Sequence, residues 1–481
     1  MENPKHLPSI RWAMENNNTD LENVLIYVLN KIVPNNAKVR EIYSLAEKIR
    51  KDIIMALNKS GIEADVALEG SVAKGTWLSD DVDFDFFVLV DYRPNIDKDE
   101  YFLSILNAIR RHLNYKFELR YSEHPYLRAK INGYEVDIAP AFKAPPSHII
   151  SSFDRTPHHT KFVLSKMSPI LANEIRLLKA FLRGIDTYGA EVKIGGLSGY
   201  ACELLVIYFG SFIRTIQEFS KKPRIFVDLT SSWRPKDAAK KFKHNFILID
   251  PTDKNRNVAS ALRQTTWSRI QLLSKLFLEK PTTEFFFPKK PTVKSSELKE
   301  AIQNRQISLI ILQKNEAIPA DVYWGQTLRI SNKIKNKLAK SPFGFIFIDA
   351  FEVNNYIIIA IETIRKKLSP IKKIIGPPVT TDMEHILQFY QKHKNDIISG
   401  PWIEENRLYA LIRYGKTSIS EHLTDFISSI KIKPSFTKFR ILENPDEIYN
   451  FIRNNQCCDQ LYKFLFRNNI QIHLDEITKK H

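Results

Sequence analysis

The chain has 481 residues, 43% of them hydrophobic, with 71 Lys and Arg against 54 Asp and Glu and a formal net charge of +17. That length implies three or four domains with ample apolar content for several cores, while three cysteines, Cys202, Cys457 and Cys458, exclude a disulfide framework and zinc-site spacing and fit a reducing cytoplasm. The positive balance favours a polyanionic partner, RNA ahead of plain solubility or ion-pair networks, and its spread over the whole chain suits a long binding face better than a basic tail.

Near the N-terminus Lys5, Arg11 and Glu15 interrupt any apolar stretch, so no signal peptide is expected. A helix is predicted from about Lys38 to Lys59, then a strand from Ala64 to Glu69. The strand runs into Gly70-Ser71-Val72-Ala73-Lys74-Gly75-Thr76-Trp77-Leu78, a tight turn whose small residues let backbone N–H groups approach a triphosphate. Fifteen glycines in the whole chain are well under the usual usage of roughly 7%, so two of them here are not filler. Lys74 precedes the second glycine, whereas a P-loop places Lys directly after it, and kinase and GTPase readings fall away.

The next strand opens with Asp83-Phe84-Asp85 and continues through Phe86 to Val90. Side chains alternate along a strand, so Asp83 and Asp85 share one face while Phe84 and Phe86 point into the core. Two neighbouring acids repel, and a bound divalent cation is the usual reason to tolerate them. An Asp-x-Asp at a strand edge is frequent by chance; the glycine turn before it gives it weight. Further strands are predicted at Lys116 to Ser122 and Tyr126 to Ile131. The Asn132-Gly133 hairpin signal then leads into Tyr134-Glu135-Val136-Asp137-Ile138-Ala139-Pro140. With Val136 and Ile138 inward, Glu135 and Asp137 lie on the opposite face, and a strand beside Asp83 and Asp85 completes a carboxylate triad. The alternative is a surface aspartate before a proline.

A helical stretch follows, with Ile170, Leu171, Ile175, Leu178, Phe181, Leu182 and Ile185 at helical spacing. Five glycines between Gly184 and Gly199 mark either a loop that admits substrate or a plain helix connection. The apolar run Leu204 to Ile213 is far short of the roughly 20 residues that span a bilayer and reads as one buried helix, with no membrane association. Lys280 to Pro291 reads as a Pro-rich linker. Beyond it, strand (Ile307 to Gln313), helix (Ala320 to Lys340) and two strands (Phe345 to Ile348, Tyr356 to Ile361) suit a ferredoxin-like or RNA-recognition-type module. Phe345 and Phe347 serve there as base-stacking groups or, more commonly, as core. Helix, strand and helix are predicted at Met383 to Lys394, Leu408 to Arg413 and Ser418 to Ser429.

These residues carry a resemblance. The Gly70-to-Asp85 signature alone points to the wide polymerase β-like nucleotidyltransferase superfamily. With it stand Val136-Asp137-Ile138-Ala139-Pro140, Asp154-Arg155-Thr156-Pro157-His158-His159-Thr160, Asn173-Glu174-Ile175-Arg176, Tyr188-Gly189-Ala190-Glu191, Gly199-Tyr200-Ala201-Cys202-Glu203, Asp250-Pro251-Thr252-Asp253-Lys254-Asn255-Arg256 and Trp324-Gly325-Gln326. Together they resemble the archaeal-type (class I) CCA-adding enzymes, tRNA nucleotidyltransferases that restore the 3′-terminal CCA of tRNA.

The resemblance implies an α+β multidomain chain. It has a polymerase β-like catalytic palm (1–150), a helical nucleotide- and primer-binding central domain (151–281), a ferredoxin/RRM-like body (282–378), and a mixed α/β tail with the remainder of the body (379–481). It implies Asp83, Asp85 and Asp137 as catalytic acids on a two-metal Mg²⁺ site, with Asp83 standing where many relatives place Glu. Ser71 and Lys74 are similar to triphosphate contacts. Thr156, His159, Lys179 and Tyr188 are similar to nucleotide-binding residues of the second domain, and Arg256 resembles the arginine that reads the incoming base. Read without the resemblance, His159 caps a helix, Tyr188 is core and Lys179 is a solvated charge. The implied partners are CTP, ATP and the acceptor end and T arm of tRNA; the family often forms homodimers, and oligomeric state stays open here. Two other readings remain: a poly(A) or terminal uridylyl transferase of the same superfamily, and a non-catalytic RNA-binding protein that keeps the fold.

Overall fold

The alternations and periods of the sequence settle into two units in a computed structural model that describes residues 6–92, 96–145, 149–151, 153–289, 292–413, 415, 417–467 and 470–478. The first unit is Met1–Lys290 with Ile470–His481, the second Pro291–Asn469. The first begins with α1 (Pro8–Glu15), α2 (Thr19–Ile32) and α3 (Asn36–Lys59), the latter two started by Asn18 and Asn35, whose side chains accept the N–H groups of Leu21 and Lys38. A five-stranded sheet follows, built from β1 (Asp65–Glu69), α4 (Gly70–Lys74), β2 (Asp83–Val90), α5 (Lys98–His112), β3 (Phe117–Tyr121), β4 (Pro125–Ile131) and β5 (Tyr134–Phe142). Its strand order is β1-β2-β5-β4-β3, with β2 and β5 parallel and the other pairs antiparallel. Asn132 and Gly133 both take positive φ, +50° and +90°, as a two-residue primed hairpin turn requires. Phe84, Phe86, Val136 and Ile138 are buried in one core with residues of α3 and α5, so the acids between them are carried on the other face.

The tight turn expected after β1 takes the form of one turn of helix, α4, entered through Gly70 at φ +70° and left through Gly75 at φ +65°. The helical part is built from α6 (Thr156–Leu164), α7 (Pro169–Gly184), α8 (Gly199–Phe209), α9 (Phe212–Lys221), β6 (Ile225–Val227), α10 (Pro235–Phe242), β7 (Phe246–Asp250), β8 (Asp253–Asn257) and α11 (Gln264–Glu279). The apolar run from Leu204 to Ile213 is not one helix. Gly210 adopts φ +86°, Ser211 caps the next helix through the N–H of Arg214, and α8 and α9 meet at 95°. Among the described residues no single helix is long and apolar enough to cross a membrane.

The second unit contains α12 (Ser295–Asn304), β9 (Ile307–Lys314), α13 (Ala320–Ala339), β10 (Phe347–Val353), β11 (Tyr356–Glu362), β12 (Ile371–Pro378), α14 (Met383–His393), β13 (Ile397–Glu404), β14 (Arg407–Arg413), α15 (Ile419–Ser428), β15 (Phe436–Leu442), α16 (Pro445–Asn454) and α17 (Cys458–Phe466). The sheet β10-β11-β9-β15 is antiparallel throughout. With α13 after its first strand and α15 before its last, it has the order of a ferredoxin-like βαββαβ module. A second sheet, β12-β14-β13, with α14, is inserted between the third strand and second helix, so the position expected to divide body from tail, 378/379, falls at the end of the first inserted strand. Phe347 lies half-buried against Phe464 at 5.6 Å between centroids, with the Arg467 guanidinium 4.2 Å from its ring.

The chain then returns to the first unit through α18 (Gln471–Thr478). This helix bears on the expected linker. Within 280–291, of which 290 and 291 lie outside the described residues, Phe285 and Phe286 are 2% exposed and belong to the helical core. Phe285 stacks on His473 at 3.9 Å, and a Cβ on Gly184 would sit 2.1 Å from the Phe285 carbonyl oxygen. The prolines start and end this segment, but its aromatic run anchors it. Phe285→Ala is therefore expected to lower the unfolding free energy of the chain by about 3–5 kcal/mol, measured by urea denaturation; a true linker would tolerate the change.

Candidate active site

Strand register assembles the acids. Asp85 is the cross-strand partner of Glu69 on β1 and of Asp137 on β5, and Asp83 is the partner of Glu135. Gly70 lets the Asp85 carboxylate lie against the backbone where α4 starts: a Cβ there would fall 1.9 Å from Asp85 Oδ2. From α7, Arg176 fixes the far end of this turn, donating from Nη2 to the Gly75 carbonyl (2.6 Å) and from Nε to the Trp77 carbonyl (2.8 Å). One cavity of about 320 Å³ gathers Ser71, Lys74, Asp83, Asp85 and Asp137 with Lys179 and Tyr188.

The two β2 acids are electrostatically crowded. Burial, then Asp81 and Glu135, push the Asp83 carboxyl up to about 6, and burial, then Asp137 and Asp83, do the same for Asp85. Asp137 is differently placed. Arg128, its cross-strand partner on β4, grips both of its oxygens, Nε to Oδ1 at 2.7 Å and Nη2 to Oδ2 at 2.6 Å, and Nη1 lies 2.9 Å from Glu135. Among the described residues no three His, Cys, Asp or Glu side chains converge on a metal position as they stand. The donor set nonetheless suits a hard divalent cation: three carboxylates from two adjoining strands, two of them raised by burial and by crowding with other acids, which a positive charge offsets.

The opposite wall is made by the helical part. Glu203 on α8 is 1% exposed and accepts from Lys74 Nζ (2.6 Å), Thr76 Oγ1 (2.7 Å) and Lys179 Nζ (3.1 Å). Burial alone would raise its carboxyl, but Lys74 and Lys179 outweigh that and bring it down to about 2. Lys179 is thus a buried partner, not a solvated charge, and one carboxylate joins the turn after β1 to α7 and α8. A second buried acid, Asp250 at the end of β7, accepts from His159 Nε2 (2.9 Å), Arg256 Nη1 (2.8 Å) and the Thr252 N–H (2.9 Å). Burial opposes its ionisation, yet the hydrogen bonds of His159 and Thr252 hold it well below the usual carboxylate range. His159 stacks on Tyr200, 4.1 Å between centroids, and Tyr200 lines the acid cavity.

Thr156, His159 and Arg256 are not in the wall of that cavity. Thr156 opens α6 half-buried, His159 reaches the cavity rim through Tyr200, and Arg256 lines a neighbouring cavity of about 490 Å³. Sequence reasoning missed Arg128, Tyr200, Glu203 and Asp250 as site residues. For Glu203 the signal was available: a lone acid inside the apolar stretch Gly199–Phe209 has to find a buried counter-charge.

Three family models match in chain order: a nucleotidyltransferase domain over residues 26–159, the second domain of tRNA nucleotidyltransferases over 173–287, and the C-terminal domain of CCA-adding enzymes over 304–431. The chain is 32% identical to a CCA-adding enzyme of Pyrobaculum islandicum over 416 residues, 85% of this chain and 94% of that one. It is 36% identical to a CCA-adding enzyme of Saccharolobus shibatae (85% and 93%) and 35% identical to one of Methanocaldococcus jannaschii (78% and 84%). Among solved structures it is similar to the Cid1 poly(U) polymerase at 14% identity and a TM-score of 0.44, over 56% of this chain and 98% of that one.

Two expectations follow from the Glu203 cluster. Its depressed carboxyl contributes stability that is present above the ordinary value of 4.5 and is lost as pH falls toward about 2. Glu203→Gln leaves two buried ammonium groups facing a neutral amide, which is expected to cost roughly 3–5 kcal/mol at neutral pH and to flatten the acid limb of stability, both measured by denaturant titration across pH.

Proposed function

The chain belongs to the family of CCA-adding enzymes, and from that premise we propose how its own residues add C, C and A to the 3′ end of tRNA. The observation that carries the reading is the register of β2 with β5, which sets Asp83, Asp85 and Asp137 in one cavity with Lys74 and Lys179. The three acids are the residues that would hold two Mg²⁺ ions. When bound, magnesium lowers the pKa of the terminal ribose hydroxyl and neutralises charge on the departing pyrophosphate.

The remaining work falls to the protein. Ser71, Lys74, Lys179 and Tyr188 orient the triphosphate so that the α-phosphorus lies in line with the RNA hydroxyl. Thr156 and His159 bind the nucleotide from α6, and Arg256 reads its base edge. Asp250 supports that choice: it ties Arg256 and His159 to one buried carboxylate, so both approach the nucleotide from a fixed position. Buried donors left unpaired by U or G then supply discrimination without a template. Grip on the acceptor end and T arm is assigned to the basic second unit. Lys373 stands 4.3 Å from the Tyr409 ring and 5.6 Å from the Trp402 ring, a basic-aromatic face suited to RNA. A reducing, cytoplasmic setting fits three cysteines that are all free.

The direct experiment offers tRNA lacking its 3′ end with each nucleotide separately and with CTP and ATP together, and sequences the product. Growth by C, C and A that stops there is expected; a long homopolymer identifies a tailing enzyme instead. Asp85→Asn is expected to abolish incorporation while tRNA is still retained in a filter-binding assay; turnover near wild type refutes the role given to the acids. The same variant has a stability signature. Because the Asp85 carboxyl is raised to about 6, its ionisation disfavours the fold increasingly as pH rises from about 4 to 6. Melting in EDTA should therefore be higher for Asp85→Asn than for wild type at pH 7.5, and the difference should vanish near pH 4.

A further inference from the structure

On the face of the sheet that carries the acids, four carboxylates, Asp83, Asp85, Glu135 and Asp137, line the cavity together with a single guanidinium, that of Arg128. The two ammonium groups on the opposite wall, Lys74 and Lys179, are already paired with Glu203. Arg128 is about a quarter exposed, and it meets Asp137 in a two-pronged pair whose distances, 2.7 and 2.6 Å, leave neither carboxylate oxygen without a charged donor. Its third nitrogen holds Glu135 at 2.9 Å. Positive charge from Arg128 also tempers the repulsion felt by Asp83 and Asp85.

Building on the metal role given above to the three acids, we propose that Arg128 is a positioning residue that occupies Asp137 as a resident counter-cation and must be displaced when the catalytic metal enters. Three points support it. Cross-strand pairing of β4 with β5 fixes Arg128 opposite Asp137, so the contact is set by register and not by a mobile surface side chain. A guanidinium does not deprotonate in a protein, so it leaves only by competition. A metal ion needs an oxygen that Arg128 now holds, and two cations on one carboxylate repel each other at short range. The pair therefore keeps the Asp137 carboxylate directed into the cavity before metal arrives, and it weakens metal binding by the free energy needed to separate it.

The test is direct titration of Mn²⁺ into the full chain, followed by the electron paramagnetic resonance signal of free Mn²⁺, for wild type, Arg128→Gln, Arg128→Lys and Asp85→Asn. Arg128→Gln should bind Mn²⁺ about tenfold more tightly, since the apparent affinity of wild type is reduced by the fraction of Asp137 already engaged. Arg128→Lys, a point charge that cannot span both oxygens, should fall between the two. The magnesium concentration for half-maximal incorporation should shift in the same direction. Mn²⁺ affinity in both Arg128 variants equal to or weaker than wild type overturns the proposal, with circular dichroism establishing that each variant is folded. If Arg128→Gln unfolds, Arg128→Lys alone decides by the same comparison. Mn²⁺ binding in wild type that Asp85→Asn leaves unchanged is a different failure, since it removes the metal role of the acids themselves and this inference with it.

Discussion

In-register parallel pairing of β2 with β5 sets Asp85 beside Asp137, and much of the rest of the catalytic region can be understood as what is needed to keep those like charges together. The sheet does so by making the opposite face costly to disturb. Phe84, Phe86, Val136 and Ile138 are fully buried, and a one-residue slip of either strand would exchange them for the acids. Hydrophobic burial on one face thus holds an electrostatic conflict on the other. Gly70 is part of the same arrangement, because any side chain there would collide with the Asp85 carboxylate.

Four acids of the first unit divide into two kinds by their surroundings alone. Asp83 and Asp85 are pushed up by burial and by neighbouring carboxylates, whereas Glu203 and Asp250, more deeply buried, are held low by lysines in one case and by hydrogen bonds from His159 and Thr252 in the other. Groups left in conflict suit a site waiting for positive charge, and groups already satisfied suit a support. Glu203 and Asp250 are supports of that kind. Each gathers side chains from separate elements, so the positions of Lys74, Lys179, His159 and Arg256 relative to the sheet are fixed before any nucleotide arrives.

The sheet was largely legible in the sequence because its strands alternate cleanly and Asn132-Gly133 dictates its hairpin. The helix from 36 to 59 was legible from its apolar period. Other features were hidden for physical reasons. The break at Gly210 lies inside an apolar run that reads equally well as one helix, and only the left-handed glycine followed by a capping Ser211 ends it. Prolines flanking Phe285 and Phe286 signal a connector, although those rings fill the core. Strands β12 and β13 are mostly exposed and lack alternation, so composition did not reveal them. Among site residues, spacing puts Asp83 and Asp85 on one strand face, and the glycine turn before them, with the family resemblance, makes them site residues. Arg128, Glu203 and Asp250 could not be matched to their oppositely charged partners without knowing register and helix packing.

The second unit illustrates how connectivity conceals a simple module. Its third strand, β11, and its last, β15, flank β9 on opposite sides, yet more than seventy residues separate them in sequence. The intervening sheet β12-β14-β13 forms its own ladder and shares no strand with the module. Closure of the module depends on β9, a strand whose residues from Ile307 to Leu312 are all buried, as expected of a central strand paired on both edges. An insertion at that junction leaves the central strand and both its neighbours intact, so the inserted sheet can present basic and aromatic side chains to solvent while the ferredoxin-like core beneath the sequence break stays unchanged.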